Sequence, residues 1–385
     1  MKIAFITNNY EPIVSGITTS INNFSECLAR RGHEVYIFAP EYPNHLDHYR
    51  NVKRVFSLKL YYKEKYPLPT IRPSALAKML ASLSIDVLHA HHAFGLGQTA
   101  LSVIKKYLRL PLVYTYHTMY EDYCHYVPFI GKGYLRGYVI RQAISYTNNC
   151  SAVIAPTRAV RDILIGRGCK RPIEVLPTGI SKSLASFEHS PAASLQARRD
   201  NGFKDDDVIL LCVTRLAEEK NCEFLLRAFS NIRVQHSGAK LLIVGGGPLE
   251  TKLKKTASSL MLGNSVVFAG CVPHSQIAPF YALSDMLLFV SQTETQGLPL
   301  VEALRFGLPI VAIESAPSRE LVQDQGAGIV TACNTAGFAE AVVYLLNNRE
   351  TAEEIANRNR STARRFCSED LSIQLENIYQ SVGKN

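Results

Sequence analysis

The 385-residue sequence predicts two doubly wound α/β domains. Its length exceeds what a single hydrophobic core usually fills. Short apolar runs alternate with amphipathic stretches, the pattern of parallel strands covered by helices on both faces. This rhythm occurs twice, with one polar, irregular segment between, from Ser181 to Asp207.

The first series opens with "KIAFIT", a glycine-containing loop, the amphipathic "TTSINNFSECLARRG" and then "EVYIFAP", a strand–loop–helix–strand unit. Further strands are expected at "IDVLHAH", "PLVYTYH", "SAVIAP" and "IEVLPTG". The second series contains "DVILLCVTR", a helix from Asn221 to about Gln235, "AKLLIVG", a helix after Pro248, then "SVVFAG", "DMLLFVS", "LPIVAI" and "AGIVT". The expected domains are 1–180 and 181–366, with 367–385 as a last helix returning to the first domain. Open α/β sheets bind ligands at the carboxyl ends of their strands, so two such domains facing each other would define a cleft.

Composition narrows the class. With 47% hydrophobic and 19% charged residues this is an ordinary globular chain, and no apolar run is long enough to span a bilayer. The apolar patch of "MKIAFITNNYEP" is too short for a signal peptide, so a cytoplasmic protein is expected. Nine scattered cysteines without a CxxC pair suit reduced thiols better than a disulfide framework or a structural zinc site. The net charge of +9 is uneven: residues 1–180 hold 22 Lys and Arg against 11 Asp and Glu, and the remainder holds 20 against 22. A basic first half points to an anionic membrane surface, nucleic acid or another polyanion, the alternative being cations that only confer solubility.

Four loops at strand ends carry residues suited to chemistry. In "EPIVSGITTS", Gly16 opens a helix whose backbone N–H groups can approach a phosphate. In "TRLAEEKN", Arg215 and Lys220 could neutralise a diphosphate or be solvated surface cations. In "SQTETQGLPLVEALRFGLPIVA", Pro299 suits a first helical turn, so Gly297 and Leu298 stand at a helix N-terminus, Glu294 before it and Glu302 one turn inside. The two carboxylates either accept hydrogen bonds from a polyol or line a solvated face. In "LVYTYHTMYEDYCHYV", His117 precedes Glu121, Asp122 and His125, but a metal site is not favoured, and His89, His91 and His92 are read as hydrogen-bonded loop residues.

Together, "SGITTS", "YTYHT", "APTRAV", "LPTGI", "TRLAEEKN", "GGGPLE", "FAGCVP" and "ETQGLPLVEALRFGLPIVA" resemble the retaining GT-B glycosyltransferases of the large Glu-x7-Glu family, which includes bacterial diacylglycerol glucosyltransferases and phosphatidylinositol mannosyltransferases. The resemblance covers nearly the whole chain. It implies that Glu294 holds hydroxyls of the donor sugar, Glu302 the nucleotide ribose, and Arg215 with Lys220 the diphosphate. Gly16 and the backbone at Gly297 and Leu298 would cradle phosphates, His117 would lie beside the transferred sugar, and the backbone near Val272 and Pro273 would meet the base. Many relatives have two consecutive glycines where this chain has Gly16–Ile17, a variant that, with "YHTMYEDYCHY", is similar to the diacylglycerol glucosyltransferase branch.

The resemblance implies transfer of a hexose from a nucleotide sugar, UDP-glucose, to a membrane lipid, 1,2-diacylglycerol, by front-face attack and with no metal or other cofactor required. Tyr120, Glu121, Lys132, Arg136 and Arg141 are the expected acceptor and membrane residues. The segment "GKGYLRGYVIRQAISY" and the basic aromatic loop from Lys59 to Lys65 would dock on the inner face of an anionic membrane. Nucleic acid is not an expected partner. Other readings are a soluble or cell-envelope glycan acceptor, or a sugar-nucleotide epimerase or hydrolase. A dinucleotide-dependent oxidoreductase is disfavoured because "LLIVGGGPLE" lacks the full G-x-G-x-x-G pattern.

Overall fold

The computed structural model describes residues 1–43, 45–47, 49–58, 67–126 and 132–383. The chain divides into two compact units, Met1–Gly179 with Ser368–Asn385, and Ile180–Cys367.

The first unit holds a seven-stranded sheet. Its spatial order is Val52–Val55, Glu34–Pro40, Lys2–Ile6, Val87–Ala90, Leu112–Thr115, Ala152–Ala155 and Ile173–Val175, every pairing parallel. Side chains alternate between its faces. Ile3 and Phe5 join Ile37, Val113 and Ile154 on one side, while Ala4 and Ile6 join Leu88, Tyr114 and Val153 on the other. Because both faces are covered, these central strands are buried along their length and read as unbroken apolar runs.

The second unit repeats the plan with six parallel strands. Their order is Val266–Gly270, Ala239–Val244, Val208–Val213, Met286–Phe289, Ile310–Ile313 and Gly328–Thr331. The Ser181–Asp207 segment, read from its polarity as irregular, contains the helices Lys182–Ala185 and Pro191–Asp200. The Ser190 hydroxyl caps the second by accepting from Ala193 N–H at 3.2 Å. Arg198 then anchors that helix, donating to Leu283 O at 2.9 Å and to Asp285 Oδ1 at 2.7 Å. The polarity belongs to a surface helix.

The last helix, Ser368–Gly383, packs in the first unit, as expected. Leu371, Leu375 and Tyr379 share a core with Ile3, Phe5 and Leu28 of the first strand and helix. Arg31 Nε donates to Glu376 at 2.8 Å, and Arg30 pairs with Glu369. Tyr379 Oη meets His89 Nδ1 at 2.6 Å inside.

Candidate functional site

Strand order in the second sheet reverses between Val208–Val213 and Met286–Phe289, which are hydrogen-bonded neighbours. Loops leaving the carboxyl ends of two such strands emerge side by side, where open α/β sheets take ligands. One of these loops carries Arg215 and Lys220, the other Glu294 and Gly297.

The first loop is held from below by the glycine triplet. Gly245 has φ +137°, and a Cβ there would stand 1.9 Å from Thr214 O, so a side chain would push the Arg215 loop off its bed. Leu216 N–H donates to Gly246 O at 2.9 Å, and Leu249 N–H returns to Leu216 O at 3.0 Å. The triplet is thus a packing surface for the basic loop. Arg215 pairs with Glu219, whose side chain is 2% exposed. Burial opposes ionisation of Glu219, yet its own backbone N–H and the guanidinium outweigh it and hold the carboxyl below the ordinary range. Lys220 closes the one-turn helix Glu218–Lys220 and is itself buried. Its Nζ donates to Glu294 Oε1 at 2.6 Å across the two loops.

Gly297 caps the helix Leu298–Phe306 in a left-handed conformation, φ +74°, with Pro299 in the first turn. A Cβ there would crowd Phe289 at 3.0 Å and Leu300 at 3.1 Å, so a glycine both makes the turn and brings the helix N-terminus close to the strand end. Glu302, one turn in, is buried and satisfied inside the protein: His274 Nε2 lies 2.7 Å from Oε1, and Tyr281 Oη donates to Oε2 at 2.5 Å. Burial alone would depress His274, but the charge and hydrogen bond of Glu302 raise it above the ordinary histidine value. Half-buried Val272 packs on the core and Pro273 is exposed, both in the loop after Val266–Gly270 that leads to His274.

In the first unit the order reverses between Lys2–Ile6 and Val87–Ala90. Gly16 begins the helix Gly16–Arg30 after that first strand, with Ser15 as cap accepting from Thr18 N–H. His117 follows Leu112–Thr115, and its Nε2 lies 2.9 Å from His91 Nδ1, the rings stacked 5.2 Å apart. Burial, reinforced by neighbouring imidazoles, holds both well below the usual range, so the pair is neutral at pH 7.

The expected acceptor and membrane residues separate. Glu121 does not lie at a surface: it is buried and paired with Arg167, because a carboxylate inside a packed helical turn needs a cation. Tyr120 is half-buried, and its hydroxyl accepts from Ala93 N–H at 2.9 Å. Arg136 and Arg141 are exposed on the helix Lys132–Thr147, beside Tyr134 at 72% and Tyr138 at 44% exposure. Lys132 begins that helix, and the loop from Lys59 to Lys65 lies outside the described residues. No helix among the described residues is long and apolar enough to cross a membrane.

Three residues of the site had not been singled out from the sequence. Glu219 stands four positions after Arg215, a spacing that signals an ion pair on a helical turn. His274 and Tyr281 lie 28 and 21 positions from Glu302, with no local signal at all.

A model described as Glycosyl transferases group 1 matches residues 194–362, and one described as Glycosyltransferase Family 4 matches residues 14–184. The chain is also 30% identical to the alpha-monoglucosyldiacylglycerol synthase of Acholeplasma laidlawii over 98% of its own length and 96% of that protein's. The chain belongs to the GT-B glycosyltransferases. This glycosyltransferase shares its fold with sucrose-phosphate synthase from Thermosynechococcus elongatus, TM-score 0.82 at 19% identity, covering 99% of this chain and 98% of that one. It shares it equally with Anabaena Alr3699/HepE, solved in complex with UDP-glucose, TM-score 0.80 at 19% identity, covering 99% of this chain and 100% of that one. The glycosyltransferase is therefore an enzyme, and its two parallel sheets are the two halves of the GT-B architecture.

Proposed function

We propose that the glycosyltransferase moves glucose from UDP-glucose to 1,2-diacylglycerol, with retention at the anomeric carbon, at the inner face of an anionic membrane. The observation that carries the reading is the pairing of Lys220 with Glu294 beside Arg215 and the Gly297–Leu298 helix N-terminus, at a sheet's switch point. Two cations and a helix N-terminus suit a diphosphate, and a carboxylate beside them suits the hydroxyls of the sugar attached to it. The reading gives Glu302 the ribose, the backbone at Val272 and Pro273 the base, Gly16 a phosphate and His117 the transferred sugar.

In the reaction the bond from C1 of the glucose to the diphosphate breaks, the electron pair leaving with the phosphate oxygen. The acceptor hydroxyl oxygen bonds to C1 on the same face, and its proton passes to the departing diphosphate. Arg215 and Lys220 stabilise the charge that grows there, in place before it develops. The scheme draws its positive charge from these side chains. The lipid acceptor is supported by the name of the Acholeplasma laidlawii relative and by the cationic, aromatic surface of helix Lys132–Thr147.

The test is incubation of the protein with radiolabelled UDP-glucose and anionic vesicles with or without diacylglycerol. Label is expected in the lipid phase only when diacylglycerol is present. Consumption of UDP-glucose without any acceptor would point to a hydrolase or epimerase, and transfer to a soluble hydroxyl compound in preference to lipid would overturn the acceptor.

A further inference from the structure

Both oxygens of the Glu302 carboxylate already have partners within the protein, and the two partners differ. Tyr281 is wholly buried, its ring stacked on Phe306 at 5.4 Å and 15°, so the contact it gives Oε2 belongs to the core. His274 is 23% exposed and sits in the one-turn helix His274–Gln276, directly after Val272 and Pro273. It reaches from that loop to Oε1 at 2.7 Å. An ionised carboxylate offers about four acceptor sites, so two remain for a vicinal diol.

We propose that His274 is a positioning residue for the nucleoside: it fixes the carboxylate of Glu302 and ties it to the loop 271–273, so that ribose and base meet contacts already aligned with each other. This rests on the reading of Glu302 as the ribose ligand. Preorganisation of this kind reduces the ordering cost of binding. Glu302 is the charged group that faces His274, from helix Leu298–Phe306, and Tyr281 on Ala278–Ala282 faces the far oxygen. Because the carboxylate raises the imidazole's pKa, the cationic form of His274 makes the stronger hydrogen bond and persists above the ordinary histidine range. Loss of that proton weakens the grip on Glu302.

The experiment is calorimetric titration of the full chain with UDP-glucose from pH 6 to pH 8, where the uracil ring also stays neutral. The ligand's diphosphate is esterified at both ends and keeps its charge across this range, so a pH trend belongs to the protein. Wild-type affinity is expected to fall as pH rises through the pKa of His274. His274→Gln keeps a hydrogen-bond donor but cannot be charged, and is expected to bind about tenfold more weakly at pH 6, with a flat profile. An NMR titration should place the His274 pKa above the ordinary value in the wild type and lower in Glu302→Gln. If the wild type does not bind UDP-glucose, the reading of the site fails and this inference with it. If it binds but His274→Gln follows the same pH profile, whatever its melting temperature, or if His274 titrates at or below the ordinary value, the positioning role alone is overturned.

Discussion

Lys220 Nζ donates to Glu294 Oε1 at 2.6 Å, linking the loops that follow two neighbouring strands of the second sheet. With Arg215 held by Glu219, each of the two cations proposed to meet the leaving group stands beside a carboxylate. Arg215→Ala and Lys220→Ala are each expected to lower turnover by about 10²–10³-fold, the usual cost of removing one preorganised charge. Circular dichroism should show an intact fold in both. Near wild-type turnover in either variant removes that residue from the leaving-group role.

The two carboxylates should separate in binding. Glu294→Gln is expected mainly to lower turnover and alter donor preference, since Glu294 is assigned to sugar hydroxyls. Glu302→Gln is expected mainly to weaken UDP itself. Calorimetry with UDP alone decides between them: loss of affinity in Glu294→Gln with affinity kept in Glu302→Gln would reverse the assignments.

Acid should weaken the first unit through His89. Its ring is fully buried between Tyr379 Oη and Thr115 Oγ1, and burial pushes its pKa down to about 3. As pH falls below about 6.5 the unfolded chain takes up a proton that the folded one refuses, so stability present at pH 7 is lost progressively down to the folded pKa. At pH 5 the loss is about 2 kcal/mol. Melting temperature is expected to drop between pH 7 and pH 5, and to drop less in His89→Gln. Equal drops would assign the acid sensitivity to other groups.

Both sheets were legible in the sequence because a strand covered on both faces has no polar side to hide its apolar run: "KIAFI" and "VILLCV" are strands for that reason. Val52–Val55 was not legible. It lies at the sheet's edge with one neighbour, and its Lys53 and Arg54 break the apolar pattern. The helix at Gly297 could be read from Gly-Leu-Pro alone, since that chemistry is local. The burial of Glu121 was not legible for the opposite reason. Its partner, Arg167, comes 46 positions later, and a carboxylate in a polar segment carries no mark of the cation that will bury it.

Helix Lys132–Thr147 supplies a test of membrane docking. Tyr134, Tyr138 and Arg141 recur at spacings of four and three residues, so they share one face. Co-sedimentation with vesicles should rise with the anionic lipid fraction and fall with added salt. Changing Lys132, Arg136 and Arg141 together to Ser should weaken it, each charge contributing roughly 1 kcal/mol at the lipid surface. Binding that ignores both lipid charge and salt would remove the electrostatic dock while leaving the glycosyltransferase unaffected.

The bond between His89 and Tyr379 joins residues 290 positions apart. A ribosome emits His89 early and Tyr379 only after the whole of Ile180–Cys367 has been made. The second unit is one contiguous stretch and can settle as soon as it leaves the exit tunnel. The first cannot complete its core around Ile3, Phe5 and Leu28 until Leu371, Leu375 and Tyr379 arrive. The half of the protein that is translated first is thus the half completed last, and during elongation its incomplete apolar core is the surface a chaperone would meet.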